Sequence, residues 1–194
     1  MKKSNSVCIV GKGSSLLCKK LGALIDSHEI VIRINHLPEH SNAKQIGTKT
    51  DILSTRCPLK LKILLANEAY KNNTVWICSE YINKYKQNNN LKFISEHEFE
   101  AISQLFPNYM NLKLHRNDKK RGFFMPDTGV TSLVLTKLRF FDSVVSVCGF
   151  DLYKEGNTNI YETKSNSSIF LTPALQQLLV YKHLIKTNAI RELE

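Results

Sequence analysis

The sequence predicts one α/β domain over residues 1–194, with a mostly parallel sheet and helices on both of its faces. Three observations predict it. Short runs rich in β-branched residues alternate with segments whose apolar residues recur at helical spacing, the pattern of repeated strand–helix–strand units. The first run, Val7-Cys8-Ile9-Val10, ends in a glycine turn, Gly11-Lys12-Gly13-Ser14-Ser15, that opens an amphipathic stretch. A second turn, Met125-Pro126-Asp127-Thr128-Gly129-Val130, opens an apolar helical run, and the strand after it ends in Cys148-Gly149-Phe150-Asp151.

The elements follow in order. Leu16, Leu17, Leu21, Leu24 and Ile25 are spaced for a helix over 15–25. Residues 29–35 (Glu-Ile-Val-Ile-Arg-Ile-Asn) form a second strand, dense in β-branched residues. Strands over 50–54 and 74–79 flank a helix over 60–70. A polar loop at 87–90 and a short strand at Phe93-Ile94 precede a helix over 96–105. A helix over 128–138, a strand over 144–149 and a last helix from about 173 to 186 complete the chain. No run approaches the roughly 20 apolar residues that cross a bilayer. The basic start is followed by an apolar stretch that breaks at Gly11-Lys12-Gly13, so it does not read as a signal peptide, and a cytoplasmic location is expected.

Apolar content of 42% and charged content of 23% are those of an ordinary globular protein, while a net charge of +10 favours anionic partners. The basic residues concentrate in 113–121, just before Phe123-Phe124. The 113–124 segment reads either as a contact with the anionic inner face of a membrane or as a solvated loop with two buried rings. No nucleic-acid motif accompanies the charge. The five cysteines, Cys8, Cys18, Cys57, Cys78 and Cys148, lack C-x-x-C spacing and read as structural.

In open parallel sheets, ligands bind beyond the carboxyl ends of the strands. Both glycine turns, Asn35 and Asp151 fall at such ends in this reading. The N–H groups of the first turn are expected to face an anion such as a phosphate. The turn is neither a complete dinucleotide fingerprint nor a P-loop, because Leu16 stands where a third glycine would and no Gly-Lys-Ser/Thr follows. No Asp-x-Asp is present, and neither a metal nor another cofactor is expected.

Four stretches together resemble the eukaryotic-type sialyltransferases of glycosyltransferase family 29, and more loosely the bacterial sialyltransferases of family 42. Ile9-Val10-Gly11-Lys12-Gly13, Val31-Ile32-Arg33-Ile34-Asn35 and Gly47-Thr48-Lys49-Thr50 follow the order of the family's large motif. Pro126-Asp127-Thr128-Gly129 through Cys148-Gly149-Phe150 follows its small motif. The resemblance implies a Rossmann-like domain of the sialyltransferase-like GT-A variant. It also implies transfer of sialic acid, or a related ulosonic acid such as Kdo, from a CMP-sugar donor to a glycan acceptor, in lipopolysaccharide, capsule or glycoconjugate synthesis. Residues implied to meet the donor are Gly11, Lys12, Gly13, Ser14, Ser15, Arg33 and Asn35 from the first half of the chain. From the second half come Thr128, Gly129, Val130, Gly149, Phe150 and Asp151.

The departures bear on mechanism. Lys12 replaces an asparagine and offers a phosphate a point charge in place of an amide. The segment Gly156-Asn157-Thr158-Asn159-Ile160-Tyr161 lacks the histidine of the family's third motif. In the last motif, Thr172 stands at the catalytic histidine and Gln177 at the glutamate. Threonine accepts no proton near pH 7. Asp127, where the family has serine, is the first candidate to act as base or nucleophile, with a helix cap as its structural alternative. Asp151 is the second candidate, with a cap or a ribose partner as its alternative, and His36, beside Asn35, is the most plausible substitute base among the histidines. His28, His40, His97 and His115 read as surface residues, and His183 as structural or exposed. The alternative to an enzyme is a protein that binds CMP or a nucleotide sugar without turning it over.

Overall fold

The structure is a computed structural model that describes residues 6–38, 40–55, 73–77, 91–106, 126–151 and 171–193, with the side chains of 171–175 left out. The expected helix over 60–70, the loop at 87–90, the basic segment 113–124, the 156–161 motif, Cys57 and Cys78 lie outside these residues, as does the side chain of Thr172.

The described strands are β1 (Ser6–Val10), β2 (Ile30–Ile34), β3 (Ile52–Thr55), β4 (Thr74–Ile77), β5 (Leu91–Phe93), β6 (Val144–Cys148) and β7 (Arg191–Glu192). They form one sheet of order β5-β4-β3-β2-β1-β6-β7. Every neighbouring pair is parallel. Central strands of such a sheet are covered on both faces and so read as unbroken apolar runs. Val7 to Val10 accordingly has no residue more than 3% exposed.

The described helices are α1 (Gly22–Asp26), α2 (Ala43–Ile46), α3 (Glu96–Leu105), α4 (Thr128–Arg139) and α5 (Leu171–Lys186), with 3-10 turns at Ser14–Cys18 and His40–Asn42. Alternation along β1 and β2 sends side chains to two cores. Val7, Ile9, Ile32 and Ile34 pack with α3, α4 and α5, while Cys8, Val10 and Val31 pack with Leu16, Leu21 and Ile25 on the other face. The fold is therefore α/β with helices on both faces, as expected. Among the described residues no helix is long and apolar enough to cross a membrane.

The structure differs from the sequence reading in three places. The helix expected over 15–25 is two pieces, a 3-10 turn and the five-residue α1. α1 lies close against α2: a Cβ on Gly22 would come within 2.0 Å of the Ala43 carbonyl oxygen. The strand β7 was not expected. His28, read as a surface residue, is 5% exposed; its Nδ1 is 2.8 Å from the Leu24 carbonyl and its Nε2 is 3.1 Å from Ser146 Oγ on β6. His97 and His183 are exposed as expected.

Candidate functional site

The strand order reverses at β1. From there the chain runs outward through β2 to β5, then returns to place β6 on the other side of β1. The crevice beyond the carboxyl ends of β1 and β6 is the topological switch point, where ligands bind in this class of sheet. The glycine turn leaves β1 there, and Gly149-Phe150-Asp151 leaves β6.

These two exits are stitched together. Gly11 N–H donates to the Cys148 carbonyl and Gly13 N–H to the Gly149 carbonyl, each at 2.8 Å. Ser15 N–H donates to Asp151 Oδ2 at 2.8 Å, and the Ser15 hydroxyl donates to Asp151 Oδ1. The expectation that these N–H groups face a ligand is thereby corrected for Gly11, Gly13 and Ser15. Their partners belong to the chain, and a carboxylate already occupies the start of the 3-10 turn. Asp151 takes the capping role. Lys12 and Ser14 are exposed at the tip of the turn.

At the end of β2, Asn35 adopts a left-handed conformation with φ of 66°. Its N–H donates to the Ser54 carbonyl at 2.9 Å, and its Oδ1 accepts from Thr55 Oγ1 at 3.0 Å. Arg33 is 3% exposed. It donates from Nε to the Lys49 carbonyl at 2.9 Å and from Nη2 to the Ile46 carbonyl at 2.8 Å. Burial lowers its pKa. The stretch Gly47–Thr50 serves this buried guanidinium, and Asp26 secures it by accepting from the N–H groups of Thr48 and Lys49. Between the glycine turn and residues 36–38 opens a cavity of about 430 Å³, lined in part by Lys12, Ser14, Arg33, His36 and Asn42. That volume lies in the range of small-molecule sites. His36 is exposed at its rim.

At the start of α4, Asp127 is the N-cap: its Oδ1 accepts from Val130 N–H at 3.0 Å. Gly129 is half-buried and Val130 is fully buried, so Val130 adds its side chain to the core and its N–H to the cap. Thr128 is held from the sheet: Ser54 Oγ lies 2.7 Å from Ser132 Oγ, which donates to the Thr128 carbonyl at 2.5 Å. Two residues on α5 contribute here: Gln177, which the sequence reading placed at the family's motif glutamate without this contact, and Tyr181, which it missed. Gln177 Oε1 accepts from Asp127 N–H at 2.8 Å. The Tyr181 ring stacks on Phe150 with centroids 5.8 Å apart and planes 19° apart. Residues one helical turn apart share a face, and the 177/181 spacing was the available clue.

Cys8 and Cys148 lie buried under the crevice as free thiols. A hydrogen bond to Cys148 and burial push the Cys8 thiol up, so it stays protonated and is no nucleophile. Among the described residues, no group of three or more His, Cys, Asp or Glu side chains is placed to hold a metal ion.

A parallel α/β sheet with a ligand crevice at its switch point defines the general class. The chain belongs to glycosyltransferase family 29 (sialyltransferase), whose family model matches residues 1–176. A mammalian sialyltransferase structure superposes with a TM-score of 0.60 at 16% identity, covering 98% of this chain and 69% of that one. A second mammalian sialyltransferase structure, in complex with Gal-beta-1-3GalNAc-ortho-nitrophenol, gives a TM-score of 0.57 at 14% identity with the same coverage. At these identities the likeness is one of fold. The beta-1,6-galactosyltransferase GALT29A of Arabidopsis thaliana is 45% identical over 47 residues, 24% of this chain and 12% of that protein.

Proposed function

We propose that the protein transfers a sugar from a CMP-activated acidic donor, sialic acid or a related ulosonic acid such as Kdo, to a glycan hydroxyl. Membership of a glycosyltransferase family makes the coarse activity sugar transfer. The observation that supports the finer reading is that the turn of the large motif and the β6 end of the small motif meet at one crevice, joined by the Gly11–Cys148 and Gly13–Gly149 hydrogen bonds. The 430 Å³ cavity beside them has the size for a nucleotide.

In this reading Lys12 offsets the donor phosphate, and the fixed turns hold donor and acceptor in line. The acceptor oxygen bonds to the anomeric carbon as the anomeric carbon–oxygen bond to CMP breaks, and Asp127 takes the hydroxyl proton. A non-catalytic binder is the second reading. It is favoured by the use of Asp127 Oδ1 as a cap and by Thr172 at the position of the family's base.

The test is a thermal-shift series against CMP, UMP, GMP and AMP and their nucleotide sugars, followed by a transfer assay. A ligand at 100 times its dissociation constant adds about 2.7 kcal/mol of stability. A shift confined to CMP compounds, with transfer lost in Asp127→Asn, is the expected result. A shift with UDP-sugars alone would replace the donor, and CMP binding with no CMP released from any donor would establish the binder.

A further inference from the structure

We infer that Gln177 and Tyr181 are positioning residues for the crevice, through which α5 sets both of its turns at once. The inference rests on the reading of the crevice as a donor site. Two helix starts in this chain are closed in different ways. At α3 the capping box is complete within the helix: Glu98 N–H donates to Ser95 Oγ, and Ser95 N–H donates to the Glu98 carboxylate at 2.9 Å. At α4 the cap residue Asp127 accepts from Val130 in the same way, but valine has no side-chain oxygen to return the bond. Gln177 supplies it from another helix, its Oε1 2.8 Å from Asp127 N–H. The box at α4 is closed in trans.

The consequence is that the Asp127-Thr128-Gly129 turn is located by α5. One helical turn further along the same face, Tyr181 stacks on Phe150 and so supports the exit of β6. The tyrosine hydroxyl is itself anchored, donating to Glu192 Oε1 on β7 at 2.6 Å. Both residues are 3% exposed, so losing either bond would leave a buried polar atom without water to replace its partner.

Amide hydrogen exchange tests this without a ligand, with 126–131 and 149–151 read against the self-contained box at 95–98. In Gln177→Met, exchange at 126–131 is expected to rise about tenfold, the loss of one well-made hydrogen bond, with 95–98 unchanged. Asp127→Ser/Gln177→Glu rebuilds an ordinary capping pair and is expected to restore protection. Tyr181→Leu is expected to loosen 149–151, and Tyr181→Phe to leave the ring contact protected. Unchanged exchange at both turns, or an equal rise across the whole molecule, would overturn the inference. CMP affinity is measured on the same folded variants by calorimetry, where a selective loss in Gln177→Met supports the positioning role. If the parent chain binds no nucleotide, the donor assignment falls, and exchange alone decides whether α5 sets the turns.

Discussion

Gly11 and Gly13 are required less for their own flexibility than for what lies against them. A Cβ on Gly11 would come 2.2 Å from the Gly149 carbonyl oxygen, and one on Gly13 would come 2.3 Å from the Asp151 carboxyl carbon. Backbone against backbone leaves no soft neighbour at the first position. Gly11→Ala is therefore expected to cost about 2 kcal/mol or more, the scale of an overpacked core. Gly149→Ala adds a φ of +70° to a 2.6 Å approach to Leu16, and the left-handed conformation alone costs about 1–2 kcal/mol. Urea midpoints of the two variants check both figures. The glycine turn was visible in the sequence as a turn, yet the partners of its Gly11 and Gly13 N–H groups were not. Its hydrogen-bond partners are Cys148 and Gly149, far along the chain, and no local pattern announces a bond across that distance. Asp127 was legible as a cap because an acidic residue just before a helical run announces its own partner, whereas Asp151 accepts from Ser15, far back in the chain, which no local pattern shows.

Short elements are where periodicity fails. Leu16 to Ile25 has helical spacing, but the chain breaks it at Lys19-Lys20 to fit α1 against α2, a tertiary demand that local spacing does not carry. The longer α3 and α4 were legible nearly to the residue, because each has a capping residue and a full apolar stripe. Between them lies a measurable contact: Arg139 donates to both Glu98 oxygens at 2.6 and 2.9 Å and covers the Trp76 ring at 4.6 Å. The hydrogen bond from Arg139 holds the Glu98 carboxyl below its usual pKa. A lowered folded pKa means the pair's contribution is complete above the unfolded value near 4.3 and is lost as pH falls through the folded one. Glu98→Gln is expected to lower stability by about 2 kcal/mol at pH 7. That difference should shrink toward zero below about pH 4, as urea melts at the two pH values would show.

For the molecule as a whole, strand–helix alternation made the fold class legible, while β7 was missed because Arg191-Glu192 is too short to show alternation. The segment around β7 matters beyond its length. Ile190 joins the core of one face and Leu193 that of the other. A chain ending at residue 189 is expected to lose at least about 3 kcal/mol, the cost of removing buried Leu or Ile side chains. It would also release Tyr181 from Glu192, so crevice exchange should rise with the fall in melting temperature. The pairing of β1 with β6 has a consequence for synthesis. Ser6 and Val144 are in register although β1 leaves the ribosome first. At about 5–20 residues per second, one edge of the central strand stays unpaired for roughly 7–28 s. The crevice exists only after that wait, and an apolar strand edge left open for so long is one that chaperones, or other copies of the chain, have time to find.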